Sequence, residues 1–191
     1  ELLRWAEASP QPPPLVLSPQ RFDVIAEVKL RSPAVGQLKS GDEDVARRVG
    51  AYAGAGAAAV SVLTEPERFE GSLDHLEQAS RALASRRVPT MRKDFLVEPY
   101  QVAEARLAGA GGILIIVRML DRAALLALIS SAKRLGLFVL VECFDEGDIG
   151  IAIDLAASPE AQGARLLVGL NSRDLVTLKV VPGRLEQLAS R

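Results

Sequence analysis

The sequence predicts an α/β fold built on a parallel sheet, and two patterns carry that expectation. Short apolar, β-branched runs begin near Val24, Ala59, Pro89, Gly112, Leu137 and Ala164, roughly 23 to 35 residues apart, the length of a strand plus its crossover helix. Runs such as ILIIV at 113–117 and FVLV at 138–141 are apolar throughout, as a strand covered on both faces requires. At 191 residues, 49% of them hydrophobic and 25% charged, one domain with one sizeable core is expected.

Residues 1–20 join a short helical stretch, ELLRWAEA, to the proline cluster PQPPP; they read as an extension or linker ahead of a domain over 21–191. The first strand is VIAEVKLRSP at 24–33, and Val45, Val49 and Tyr52 then form a helical stripe. After the second strand, Ser72 stands where it would cap a helix containing His75. TMRKDF supplies the third strand, and Tyr100, Ala103 and Leu107 the stripe of the helix behind it. Over 121–136, Leu125, Leu128, Ile129 and Ala132 recur at i, i+3, i+4 and i+7, with Asp121 at the start and Gly136 at the stop, so one face of that helix is apolar. LFVLVEC and LLVGLNSRD are the fifth and sixth strands. Gly54, Gly56 and Ala59 match a G-x-G-x-x-A spacing, but they end a helix and enter a strand, the reverse of the order a dinucleotide site needs. They read as a helix stop with small residues for close packing. The patterns leave barrel and open sheet both standing.

Several function classes are disfavoured. The 23 basic and 24 acidic residues leave a net charge of −1 with no basic stripe, so no nucleic-acid partner is expected. The apolar runs fall short of the roughly 18 residues that cross a bilayer and no signal-peptide pattern opens the chain, so no membrane partner and a cytoplasmic location are expected. The single cysteine, Cys143, and the single histidine, His75, leave little for disulfides, a metal centre or Ser-His-Asp chemistry. Both read as structural. Glu1 in place of Met, and Arg191 inside a helical pattern, suggest cut ends.

The polar anomalies gather at the carboxyl ends of the strands. Glu27, Lys29 and Ser32 close the first, Lys93 the third, Glu142 the fifth, and Asn171 and Arg173 the sixth. Side chains alternate along a strand, so Glu27 and Lys29 share a face with Ile25, while Lys93 and Asp94 point to opposite faces. A structural ion pair is the rival reading for Glu27 with Lys29, and turn formation for Asn171 with Arg173. Burying an unpaired charge in a strand is expensive; a barrel mouth removes the difficulty, since the active sites of parallel barrels lie at that rim.

In order along the chain, IAEVKLRSP with Gly36, SVLTEPERFEGSLDHL, MRKDFLVEPYQVAEAR, ILIIV, LVECFDE and GLNSRDL resemble the indole-3-glycerol phosphate synthase family. The resemblance implies a (βα)8 TIM barrel with an N-terminal extension over the site. It also implies conversion of 1-(2-carboxyphenylamino)-1-deoxyribulose 5-phosphate to indole-3-glycerol phosphate, carbon dioxide and water, with no metal or organic cofactor. It makes Lys93 the general acid and Glu27 and Glu142 the catalytic glutamates. Lys29 and Ser32 hold anionic groups, Asn171 and Arg173 orient the reacting end, and Phe69 in RFEGS packs near a phosphorylated small-molecule substrate. Leu30 and Ala34 stand where the family is often polar, and LAASPEAQGARLL is longer than usual. The chain covers roughly the first six βα units, and the family's last two strands with their phosphate loop have no counterpart before Arg191. A monomer is expected of a complete barrel, and association through open strand edges of a truncated one. The rival readings are a Schiff-base aldolase with Lys93 as nucleophile and a non-catalytic barrel fragment.

Overall fold

The computed structural model describes residues 1–20, 22–33, 36–38 and 44–189. Six parallel strands, β1 (Ile25–Val28), β2 (Ala59–Leu63), β3 (Thr90–Lys93), β4 (Gly112–Ile116), β5 (Phe138–Cys143) and β6 (Arg165–Leu170), pair in strict chain order. Because every strand's neighbour in sequence is its neighbour in space, the order never reverses, and the sheet lacks the switch point of a doubly wound fold. The expected α/β class holds, in the form of a partial TIM barrel of six strands with β1 and β6 at its edges. A two-residue antiparallel pairing, Arg31–Ser32 with Gly36–Gln37, follows β1.

The helices are α1 (Leu2–Ala8), α2 (Val45–Gly54), α3 (Pro66–Phe69), α4 (Leu73–Leu83), α5 (Pro99–Leu107), α6 (Arg122–Arg134), α7 (Glu146–Ala156) and α8 (Arg184–Ala189). Alternation divides the strands into two cores. Val28, Val60, Val62, Ile113, Ile115, Val139, Val141 and Cys143 face the helices, where they meet Val45, Val49, Leu76, Leu125, Leu128, Ile129 and Ala132. Ala59, Met91, Leu114 and Phe138 pack together on the opposite, inner face. Gly112 sits in that inner layer for want of space: a Cβ there would lie 2.4 Å from the Phe138 ring.

Local signals act as expected at several places. Asp121 Oδ1 accepts the Ala124 N–H at 2.8 Å, Gly136 closes the same unit at φ 73°, and Ser72 Oγ accepts the His75 N–H at 3.1 Å. The stripe expected for the helix behind the third strand, α5, differs in the structure. Tyr100 and Leu107 are exposed, and α5 buries Val102, Ala103, Ala105 and Arg106 instead. Arg106 sits on the buried arc because its guanidinium donates to Leu135 O at 3.2 Å and Ser9 O at 2.8 Å. A pattern that counts only apolar residues centres the face wrongly. Burial also lowers this guanidinium's pKa from its ordinary value, since charge is disfavoured away from water.

Residues 1–20 lie elsewhere than over the site. α1 packs on α5, Glu7 pairs with Arg134, and Leu15 is buried in the inner layer with Met91, Leu114 and Phe138. Gln11 comes so near Gly136 that a Cβ there would be 2.7 Å from its Oε1. These contacts belong to the amino-terminal end of the strands, so the cover over the carboxyl ends implied by the resemblance is not where these residues are. Ala34, one of the two departures in the first loop, lies outside the described residues, as does Arg21 at the expected domain boundary.

Candidate active site

At the carboxyl ends of the strands a cavity of about 310 Å³ opens, and Glu27, Lys29, Ser32, Phe69, Lys93, Glu142, Asn171 and Arg173 all line it. The structure thus brings together every site residue expected from the sequence, and it separates the two read as structural. Cys143 is buried on the helix side, its thiol pushed up to about 12 chiefly by burial and then by Asp148, Asp145 and Glu142.

Lys93 closes β3 on the inner face, and its Nζ lies 3.6 Å from Glu142 Oε1. Next to it Arg92 points outward into a buried network. Its guanidinium pairs with Asp94 and Glu104, each at 3.1 Å, and donates to Thr64 Oγ1 and to Gln101 O. Asp94 accepts from Thr64 Oγ1 at 2.6 Å and from Phe95 N at 2.8 Å. The ends of β2 and β3 are therefore tied together just behind Lys93, which fixes the backbone that aims it. Asp94 thus pairs with Arg92 and Lys93 with Glu142, so the two neighbours serve opposite faces of β3.

Lys29 Nζ donates to Glu27 Oε1 at 2.5 Å, both side chains partly buried. The Tyr52 hydroxyl from α2 donates to Glu27 O at 3.3 Å, holding this strand end against its helix. Phe69 ends α3, whose first turn is capped by Glu65 accepting the N–H groups of Glu67, Arg68 and Phe69. Its ring lies 6.4 Å from that of Phe95. The loop after α3 can fold this tightly because Gly71 passes over the end of β2, where a Cβ would be 2.4 Å from Leu63 O.

After β6, Asn171 Oδ1 accepts the Arg173 N–H at 2.8 Å, and Arg173 donates to Leu178 O at 3.1 Å. The two residues shape a turn and face the cavity at once. Asp174 organises the loop by accepting from Thr177 N, Thr177 Oγ1 and Val176 N, and the Thr177 N–H above all holds its carboxyl below the usual range.

Further lining residues escape sequence reasoning, among them Glu65, Phe95, Leu175 and Leu178. Glu65 and Phe95 each stand two positions past a strand's end on the inward alternation, a signal that was available. Leu175 and Leu178 come from a loop with no periodicity. With Phe69, Leu114 and Ile116 they give the cavity an apolar part suited to a flat ring, alongside the cations Lys29, Lys93 and Arg173. Fixed cations, paired carboxyls and an apolar wall can bind an anionic aromatic ligand and move protons on it. Among the described residues, no group of three or more His, Cys, Asp or Glu is placed to hold a metal ion, and no helix is long and apolar enough to cross a membrane.

A family model described as indole-3-glycerol phosphate synthase matches residues 12–191. Proteins of that name are similar to this chain: one from Mycobacterium leprae (strain Br4923) is 43% identical over 92% of this chain and 61% of its own length. One from Parafrankia sp. (strain EAN1pec) is 46% identical over 86% and 57%, and one from Dehalococcoides mccartyi (strain CBDB1) 41% over 90% and 64%. The chain thus spans about three fifths of the length of these relatives. In fold alone it resembles the carboxyl transferase domain of Rhizobium etli pyruvate carboxylase, with a TM-score of 0.53 at 15% identity over 87% of this chain and 31% of that one.

Proposed function

On the premise that the chain belongs to the indole-3-glycerol phosphate synthase family, we propose that its cavity serves the ring closure of 1-(2-carboxyphenylamino)-1-deoxyribulose 5-phosphate to indole-3-glycerol phosphate, carbon dioxide and water. The observation that carries this reading is the convergence of all eight expected residues on one cavity, with Lys93 beside Glu142. Lys93 protonates the carbonyl oxygen as the ring carbon bearing the carboxylate attacks the carbonyl carbon. The bond to the carboxylate then breaks, carbon dioxide leaves, and its electron pair restores the aromatic ring. Loss of water needs a proton at the departing hydroxyl and an acceptor for the proton given up, and Glu142 and Glu27 are the carboxyls at hand. Lys29, Ser32 and Arg173 hold the anionic groups, Asn171 orients the reacting end, and Phe69 bounds the aromatic part. In this reading residues 21–191 belong to the barrel domain and 1–20 to an extension packed on it. The substrate is a phosphorylated small molecule, and the single cysteine fits a cytoplasmic location.

The test is to supply that substrate to the full polypeptide carrying this chain and to follow the indole product. Product that disappears in Lys93→Ala supports the proposal. A borohydride-trapped carbonyl adduct on Lys93, with no indole formed, would replace it with the aldolase reading.

A further inference from the structure

Among the described residues, one buried side-chain polar atom has no hydrogen-bond partner: Ser61 Oγ. Ser61 is 3% exposed and lies in the middle of β2. Its position in the pleat places it on the inner face, in register with Glu27 on one side and Met91 on the other. Neighbouring strands run about 4.8 Å apart, so a glutamate and a serine at paired positions of one face are within reach of each other. Of those two flanking side chains, only that of Glu27 is a strong hydrogen-bond acceptor, the Met91 thioether being a weak one, and the Glu27 carboxylate is turned to Lys29 instead. An unsatisfied buried hydroxyl is costly enough to call for an explanation.

We propose that Ser61 is the second anchor of Glu27: when an anionic ligand draws the Lys29 ammonium away, the Glu27 carboxylate turns to accept the Ser61 hydroxyl. The proposal rests on the reading of Lys29 as an anion-holding residue given above. Lys29 cannot serve both a ligand anion and Glu27 at full strength, so binding must leave Glu27 short of a donor. Ser61 supplies one inside the barrel, where a partner is worth most. It acts through Glu27 and is a positioning residue. The Lys29–Glu27 pair is one end of the exchange, and the orphaned Ser61 hydroxyl marks the other.

Two measurements test this. The first needs no ligand. In a crystal structure of Lys29→Met, which removes the cation permanently, Ser61 Oγ should lie within about 3.2 Å of a Glu27 carboxylate oxygen. A Glu27 carboxylate pointing elsewhere, with Ser61 still unpartnered, would overturn the exchange. The second is a binding cycle with the substrate whose ketone has been reduced to an alcohol, which keeps carboxylate and phosphate but cannot react. Ser61→Ala should weaken its binding roughly fivefold, the usual worth of one hydrogen bond, and should have no effect in a Glu27→Ala background. Equal weakening in both backgrounds, or none in either, means that Ser61 does not act through Glu27. If the analogue binds none of the variants, the ring-closure reading fails, and the Lys29→Met structure decides the exchange by itself.

Discussion

Lys93 Nζ and Glu142 Oε1 stand 3.6 Å apart although their strands are not neighbours: β4 lies between β3 and β5. The two side chains meet above Leu114 and Ile116, as alternate strands of a parallel barrel do when they fill one layer. Lys93 therefore arrives at the cavity with its charge countered and its direction set from both sides.

Replacing Lys93 by Ala in the full polypeptide should lower turnover by about a hundredfold or more, the scale of losing a general acid, while ligand still binds. A variant keeping over half its turnover removes Lys93 from the role. The Arg92 network remains intact on the other face, so the unfolding midpoint in urea should hardly move.

The proposed function divides binding from chemistry between Lys29 and Glu142. Lys29→Ala should raise the dissociation constant of a product analogue more than Glu142→Gln does, since the first removes the cation proposed to hold the ligand's anion. Titrations giving equal effects would defeat the division.

Much of this was legible because charges inside apolar strands are rare enough to stand out, as Glu27, Lys93 and Glu142 do. Arg92 and Arg106 are equally out of place, yet their partners Glu104, Thr64, Leu135 and Ser9 are chosen by tertiary packing and no spacing reveals them. For that reason the apolar pattern alone misplaces the buried face of α5. Leu15 follows a proline tract, where an extended chain has no periodicity to show which side is covered. Ser61 looked like any small strand residue, because what distinguishes it is the partner it lacks.

Gly112→Ala should destabilise the protein by about 1–3 kcal/mol, the usual penalty for overpacking, because the new methyl would press into the Phe138 ring. Combining it with Phe138→Leu should recover part of the loss in denaturant unfolding. Strictly additive losses would show that the ring is not the obstacle.

Cys143 should resist alkylation at pH 8 in the folded protein and react on unfolding, since its thiol is pushed up to about 12. Its linkage has a definite sign. The unfolded thiol ionises near 8.5, about its ordinary value, while the folded one keeps its proton, so stability falls as pH rises through that interval. Cys143→Ala should flatten the alkaline slope, and an unchanged slope would assign it to other groups.

A polypeptide of these 191 residues alone should show no appreciable synthase activity. β1 and β6 each present an unpaired edge, and Val168 on β6 is half exposed, so such a chain should also associate. A monomer turning over at about one per second or faster would contradict both expectations.

The slot that receives Leu15 is built from Ala59, Met91, Leu114 and Phe138, and this imposes an order on biosynthesis. A ribosome must add roughly 120 further residues after Leu15 before Phe138 exists, about 6 to 25 seconds at ordinary elongation rates. For that interval the segment before β1 has nowhere to dock. Its prolines at 10 and 12–14 suit the wait, because they hold the nascent chain extended and deny it the N–H groups with which it could pair prematurely as a strand. Docking of Leu15 then closes the inner layer from below, a late step that seals an assembly formed downstream of it.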